Sequence, residues 1–185
     1  ADLAGLPPGA GGCFVSGGTM GNLSALVAAR FAAAESRAAT GAERPARWAI
    51  ACAESAHSST RTAAQIMDAD VVEVPGYRLT GGALTAVLED EADRICAVVA
   101  TAGSTNLGLI DDLAGVADAC AAHDVWLHVD AAYGGAALAV PEMRARFAGI
   151  ERASSVIVDP HKWLFAPFDA CALLYRDPVV AKACH

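Results

Sequence analysis

The 185-residue chain has no C-x-x-C cysteine pair, no lysine or arginine run, and no apolar stretch near the ~20 residues of a membrane-spanning helix. Charged residues make up only 18% of it and the net charge is −8, which argues against a nucleic-acid groove or a membrane-surface patch. The six cysteines are scattered through apolar patterns, where Cys behaves as a small hydrophobe, so neither a zinc site nor a disulfide framework is expected. A reduced, cytoplasmic chain follows as the expectation. No histidine pair has helical spacing, so the four candidates His57, His128, Asp130 and His161 make a poor case for metal hydrolysis. Hydrophobic residues reach 55%, which excludes disorder and leaves room for one sizeable core.

The first dozen residues are rich in glycine and proline, with neither a charged n-region nor an apolar h-region, so no secretory signal is visible. They resemble a connector, and the sequence is expected to begin mid-protein. Cys13-Phe14-Val15 is then a short apolar run, followed by Ser16-Gly17-Gly18-Thr19. A helical pattern opens there, with Leu23, Leu26, Val27, Arg30, Phe31 and Ala34 recurring at three and four residues. Ser16 or Thr19 can cap it, and the glycines let backbone N–H groups approach an anion at a helix N-terminus. A helix start with no ligand explains the same residues. The spacing of Gly17, Gly18 and Gly21 does not match a dinucleotide-binding G-x-G-x-x-G loop.

From there the pattern alternates. Strands are expected at Trp48–Cys52, Val71–Val74, Ile95–Ala100, Val125–Asp130, Ser155–Val158 and Ala170–Tyr175. Helices are expected over 58–68, after a Thr80 cap, from Asp111, and from Pro141 through Phe147. Such alternation predicts an α/β fold with a mostly parallel sheet, in which functional residues gather at strand C-terminal ends. His57, Thr105, Asp130 and Lys162 all fall just past expected strands. Each has an ordinary explanation by itself: a structural histidine, a turn cap, a solvated loop lysine. Lys162 follows the apolar strand, beside His161 and before Trp163, Phe165 and Phe168; enclosure by these rings would disfavour its charged form and leave a nucleophilic amine. His128 alternates with Asp130 on one strand face and reads as a core or supporting histidine. A phosphate cradle, a carboxylate, an imidazole and a lysine together suit pyridoxal 5'-phosphate, with the lysine forming a Schiff base and the acid keeping the ring nitrogen protonated.

Five segments carry a more specific likeness: Ser16-Gly-Gly-Thr-Met-Gly-Asn-Leu, Ser55-Ala-His-Ser-Ser, Ala100-Thr-Ala-Gly-Ser-Thr-Asn-Leu-Gly-Leu-Ile-Asp, His128-Val-Asp-Ala-Ala-Tyr-Gly-Gly and Asp159-Pro-His-Lys-Trp-Leu. In this order they resemble the group II pyridoxal-phosphate amino-acid decarboxylases. The resemblance implies the large domain of a fold-type-I enzyme over residues 1–185, with helices on both faces of the sheet. It also implies a homodimer, and an N-terminal segment and small C-terminal domain lying outside this sequence. It makes Lys162 the Schiff-base lysine, pairs Asp130 with the ring nitrogen, stacks His57 on one face of the ring and packs Ala132 on the other. Gly18, Thr19 and His161 would hold the phosphate, and Thr105 would lie near the cofactor and the substrate carboxylate. Asp159 stands where many relatives carry Asn, and an ionised carboxylate cannot donate to a phosphate. Met20-Gly21 also departs from the Glu-Ala or Ile-Ser of other relatives, a change expected to affect helix packing. The implied activity is decarboxylation of an L-amino acid, with an aromatic substrate favoured by Trp163 after the lysine. Other pyridoxal-phosphate reactions, glutamate, aspartate or diaminobutyrate as substrate, and a cofactor-binding chain without turnover remain as alternatives.

Overall fold

A computed structural model describes all residues 1–185. A 3-10 turn at Asp2–Ala4 precedes β1 (Gly11–Val15), which leads directly into α1 (Gly17–Thr40), the longest helix. β2 (Ala49–Ala53), α2 (Ser58–Ile66), β3 (Asp70–Val74), α3 (Gly81–Glu91), β4 (Ile95–Thr101), α4 (Leu113–Ala122) and β5 (Trp126–Asp130) follow in strict alternation. Three 3-10 turns, the second spanning Pro141–Phe147, bridge to β6 (Ser155–Val158). The chain closes with α5 (Pro160–Trp163), β7 (Cys171–Tyr175) and α6 (Pro178–Cys184).

The seven strands form one sheet in the order β1-β7-β6-β5-β4-β2-β3. β7 pairs antiparallel with both β1 and β6, and every other pairing is parallel. β1 therefore points the same way as the parallel strands, and its C-terminal end lies on their side of the sheet. β2 and β4 are buried along their whole length, as the unbroken apolar runs require of strands covered on both faces. α1 and α2 pack one face through Leu26, Ala29 and Ala63, while α3 and α4 cover the other through Leu84, Leu88, Leu113 and Val116.

α1 sits unusually close to the sheet because residue 21 is glycine. A Cβ there would come within 2.9 Å of both Cys171 Sγ and Ile157 Cγ2. The departure at position 21 thus bears on packing, in line with the sequence expectation.

Two helix starts differ from that expectation. Asp112, not Asp111, caps α4, accepting the Gly115 N–H at 3.1 Å. Asp111 is instead buried, accepting the N–H groups of Leu79 and Thr101 at 2.8 and 2.6 Å and so tying the α3 approach to the end of β4. Desolvation pushes its carboxyl up to about 6, against those two donors. Ser16 takes the N-cap position of α1 without a side-chain capping bond, and Thr19 lies inside the helix. The segment holding Lys162 is not an open loop, because Pro160 starts the short α5.

Candidate active site

The C-terminal ends of β1, β2, β4, β5 and β6 surround one cavity of about 690 Å³. All eight site residues expected from the sequence line it: Gly18, Thr19, His57, Thr105, Asp130, Ala132, His161 and Lys162. They come from segments up to 144 residues apart, from 18 to 162. Parallel strands achieve this because each right-handed crossover returns the chain to the same edge of the sheet.

At one end of the cavity lies the start of α1. Its first N–H groups have no partner in their own helix, and Ser16 supplies none from its side chain. Gly17 has φ +80°, a conformation L side chains avoid, and a Cβ on it would sit 2.9 Å from Asp169 Oδ1. A Cβ on Gly18 would sit 2.9 Å from Asp159 Oδ2 and 3.4 Å from the Ala132 Cβ. Only bare backbone leaves this end open.

Opposite stands the lysine. Lys162 Nζ lies 3.0 Å from Asp159 Oδ2, an ion pair across one turn of α5. Asp159 is 2% exposed, yet its Oδ1 has no partner. The Lys162 side chain is 35% exposed, which corrects the expectation of a lysine desolvated by its aromatic neighbours. Phe165 and Phe168 turn outward, 93% and 84% exposed, and Trp163 packs edge-on against Tyr133. His161 is nearly buried: its Nδ1 lies 2.6 Å from the Ala170 carbonyl, and its Nε2 lies 3.8 Å from Asp159 Oδ2.

The floor of the cavity is a hydrogen-bonded chain. Asp130, the last residue of β5, accepts the Ala132 N–H on Oδ1 at 3.1 Å and the Asn22 amide on Oδ2 at 2.8 Å. The same amide nitrogen donates to Ser59 Oγ at 2.8 Å, and Ser59 Oγ lies 2.8 Å from His57 Nδ1. Asn22 Oδ1 meets His128 Nε2 at 2.8 Å, and His128 Nδ1 meets Ser155 Oγ at 2.8 Å. His128 is therefore a supporting residue, as its strand alternation suggests. Complete burial pulls it down to about 4, although the neighbouring Asp130 carboxylate pulls the other way.

Asn22 and Ser59 were not singled out by the sequence. A signal existed for Asn22: it stands three and four residues after Thr19 and Gly18, hence on the same face of α1, as the one amide among apolar helix positions. Ser59 carries no such mark, since its neighbour Ser58 has the same chemistry and a different environment.

The donor set suits a phosphorylated, ring-containing ligand. Free helix N–H groups, the Thr19 hydroxyl, Lys162 and His161 can serve an anion, and Asp130 offers a carboxylate to a protonated ring nitrogen. The unpartnered Oδ1 of Asp159 shows that the protein alone does not complete the site's hydrogen bonds. Those residues fit pyridoxal phosphate, with Asp159 the one discordant charge.

The whole chain, residues 1–185, matches the pyridoxal-dependent decarboxylase conserved domain. It is 38% identical to the L-2,4-diaminobutyrate decarboxylase of Rhizobium meliloti (strain 1021), covering 98% of this chain and 38% of that protein. It is 34% identical to the aromatic-L-amino-acid decarboxylase of Bacillus atrophaeus, covering 95% of this chain and 37% of that protein. The crystal structure of Oryza sativa TDC with PLP and tryptamine superposes with a TM-score of 0.90 at 31% identity, over 100% of this chain and 41% of that one. The chain thus spans about two fifths of the length of these relatives. Its α/β fold is that of the fold-type-I pyridoxal-phosphate enzymes, and the chain belongs to the pyridoxal-dependent decarboxylase family.

Proposed function

We propose that this chain is the cofactor-binding large domain of a pyridoxal-phosphate-dependent decarboxylase, which removes the α-carboxylate of an L-amino acid as CO₂ and replaces it with a proton. The observation carrying this reading is the meeting of Lys162, Asp130, His57 and the Gly18–Thr19 helix start around one cavity. Pyridoxal phosphate, when bound, supplies an aldehyde that takes up amines and a protonated ring that withdraws electrons from the bond being broken. Lys162 is the amine that would meet that aldehyde, and its Nζ would hold or move a proton on the substrate side. Asp130, held from two sides, keeps a carboxylate for the ring nitrogen. His57 and Ala132, which both line the cavity, would hold the two faces of the ring. Gly18 and Thr19 serve the phosphate with N–H and hydroxyl donors, assisted by His161, and Thr105 stands on the substrate side.

An aromatic substrate is favoured. Tyr77, Tyr133 and Phe168 line the cavity, and Trp163 after the lysine braces Tyr133. The 38% identity with a diaminobutyrate decarboxylase supports a cationic substrate as the second reading. A homodimer is the assembly we infer, because Phe14, Phe165 and Phe168 would otherwise remain exposed. Six unpaired thiols suit a reducing, cytoplasmic setting, and no helix is long and apolar enough to cross a membrane.

The test is CO₂ release from carboxyl-labelled amino acids by protein supplied with pyridoxal phosphate. Release from tryptophan, tyrosine or phenylalanine exceeding that from diaminobutyrate, glutamate and aspartate supports the reading. Preference for one of the latter three overturns the aromatic assignment. Deamination without CO₂ release overturns the decarboxylase.

A further inference from the structure

The floor of the cavity holds a hydrogen-bond chain whose direction is determined at the Asp130 carboxylate and again at His57. At the far end, the Trp126 indole Nε1–H meets Ser155 Oγ at 2.9 Å, and an indole nitrogen can only donate. A serine oxygen can accept twice, so the direction comes from Asp130: its carboxylate takes the Asn22 amide N–H, which turns Asn22 Oδ1 toward His128 Nε2, and Ser155 then gives its own hydrogen to His128 Nδ1 at 2.8 Å. A neutral ring accepting on Nδ1 carries its hydrogen on Nε2, and so donates to Asn22 Oδ1 at 2.8 Å. The reverse amide orientation would set an oxygen 2.8 Å from an Asp130 carboxylate oxygen, with no hydrogen between them.

The near end gives the same sense independently. The Ser59 backbone N–H donates to His57 Nδ1 at 3.2 Å, so that nitrogen is an acceptor. The Ser59 hydroxyl then donates to the same nitrogen and accepts from Asn22, and the His57 hydrogen resides on Nε2. Asn22 is the fork: one hydrogen of its amide goes to Asp130 and the other to Ser59, both at 2.8 Å, at 1% exposure.

We propose that Asn22 is a positioning residue that joins Asp130 and His57 into one oriented unit, with its own amide orientation fixed by the Asp130 carboxylate and accommodated by His128, Ser155 and Trp126 behind it. This rests on the functional reading above, in which Asp130 serves the ring nitrogen and His57 the ring face. Asn22 sets the rotation of the Asp130 carboxylate and, by donating to Ser59 Oγ, aims the Ser59 hydroxyl as a second donor at the His57 Nδ1 that the Ser59 backbone N–H already holds as an acceptor. A buried apolar residue of the same size would leave Asp130 held by the Ala132 N–H alone and His57 by the Ser59 backbone N–H alone, with Ser59 Oγ and His128 Nε2–H short of a partner.

The test uses pyridoxal phosphate labelled with ¹⁵N in the ring, bound to wild type, Asn22→Leu and Ser59→Ala, together with ¹⁵N spectra of the histidines before the cofactor is added. Wild type is expected to show a protonated ring nitrogen and His57 as the Nε2–H tautomer. In Asn22→Leu the ring signal moves toward the unprotonated form, the His57 Nδ1 signal shifts as the Ser59 hydroxyl loses its orientation, and cofactor affinity falls by about tenfold, the size of one hydrogen bond to a charged group. Ser59→Ala, which cuts only one arm of the fork and keeps the backbone N–H, is expected to shift the His57 Nδ1 signal by the loss of one donor, keep the Nε2–H tautomer and leave the ring signal unchanged; it also serves if Asn22→Leu does not fold. Wild-type signals and affinity in Asn22→Leu, or an unaltered His57 in Ser59→Ala, overturn the proposal alone. A wild type that binds no labelled cofactor overturns the functional reading, and the proposal with it.

Discussion

Acidification should affect this protein through two buried groups of opposite sign, and replacing Asp111 should expose the other. Burial lowers His128 from 6.5 to about 4, so the unfolded chain takes up a proton that the folded chain refuses. Its contribution to stability is complete above 6.5 and drains as the pH falls toward 4, a loss of about 3 kcal/mol. Burial raises Asp111 from 3.8 to about 6, so here the folded chain binds the proton more tightly. Between pH 7 and pH 4 this group returns about 2 kcal/mol, which offsets most of the histidine loss. Asp111→Asn removes the compensation and leaves His128 in place. Its amide also sets an NH₂ group against one of the two backbone donors, so the variant is expected to be less stable at every pH. The informative quantity is the change in that deficit. Urea unfolding at several pH values, with equal m-values, should show the gap between wild type and Asp111→Asn widening by about 2 kcal/mol from pH 7 to pH 4. A gap that stays constant would mean that the Leu79 and Thr101 N–H groups balance desolvation at Asp111, and a gap that narrows would mean that they outweigh it.

Two further substitutions probe the packing and the charge of the site. Gly21→Ala should destabilise by roughly 1–3 kcal/mol in thermal or chemical unfolding, because its Cβ meets Ile157 and Cys171 at 2.9 Å; a neutral result would mean that α1 shifts freely on the sheet. Asp159→Asn removes the carboxylate beside Gly18 and Lys162 while keeping its volume, and is expected to tighten pyridoxal phosphate severalfold in a fluorescence titration. Its stability cost should stay under about 1 kcal/mol, since the partner Lys162 is partly solvated. Weaker binding would show that the carboxylate helps to hold the cofactor.

The strands were legible because their cues are local: apolar β-branched runs bounded by polar turns match β2 through β7 to within a residue or two. The convergence of Gly18, His57, Asp130 and Lys162 on one edge was legible for the same reason, since α/β alternation fixes where strand ends collect. The strand order was not, because nothing in Gly11–Val15 announces that it pairs with β7 across the length of the chain. The Asp111–Asp112 pair misled because both residues are good caps, and only the fold decides which carboxylate turns inward. The aromatic residues after Lys162 suggested enclosure, but two of the three phenyl and indole rings nearest that loop's tip face outward, a matter of backbone direction that composition does not encode. Asn22 went unmarked because its partners, Ser59, His128 and Asp130, lie 37 to 108 residues away.

Lys162 is the amine proposed to meet pyridoxal phosphate, and reductive trapping tests that role most directly. Borohydride treatment of protein mixed with the cofactor, followed by peptide mass mapping, should place the cofactor's mass on the peptide containing Lys162, with no trapped product in Lys162→Ala. Label on Lys182 or the N-terminus instead, or equal labelling of wild type and variant, would contradict it.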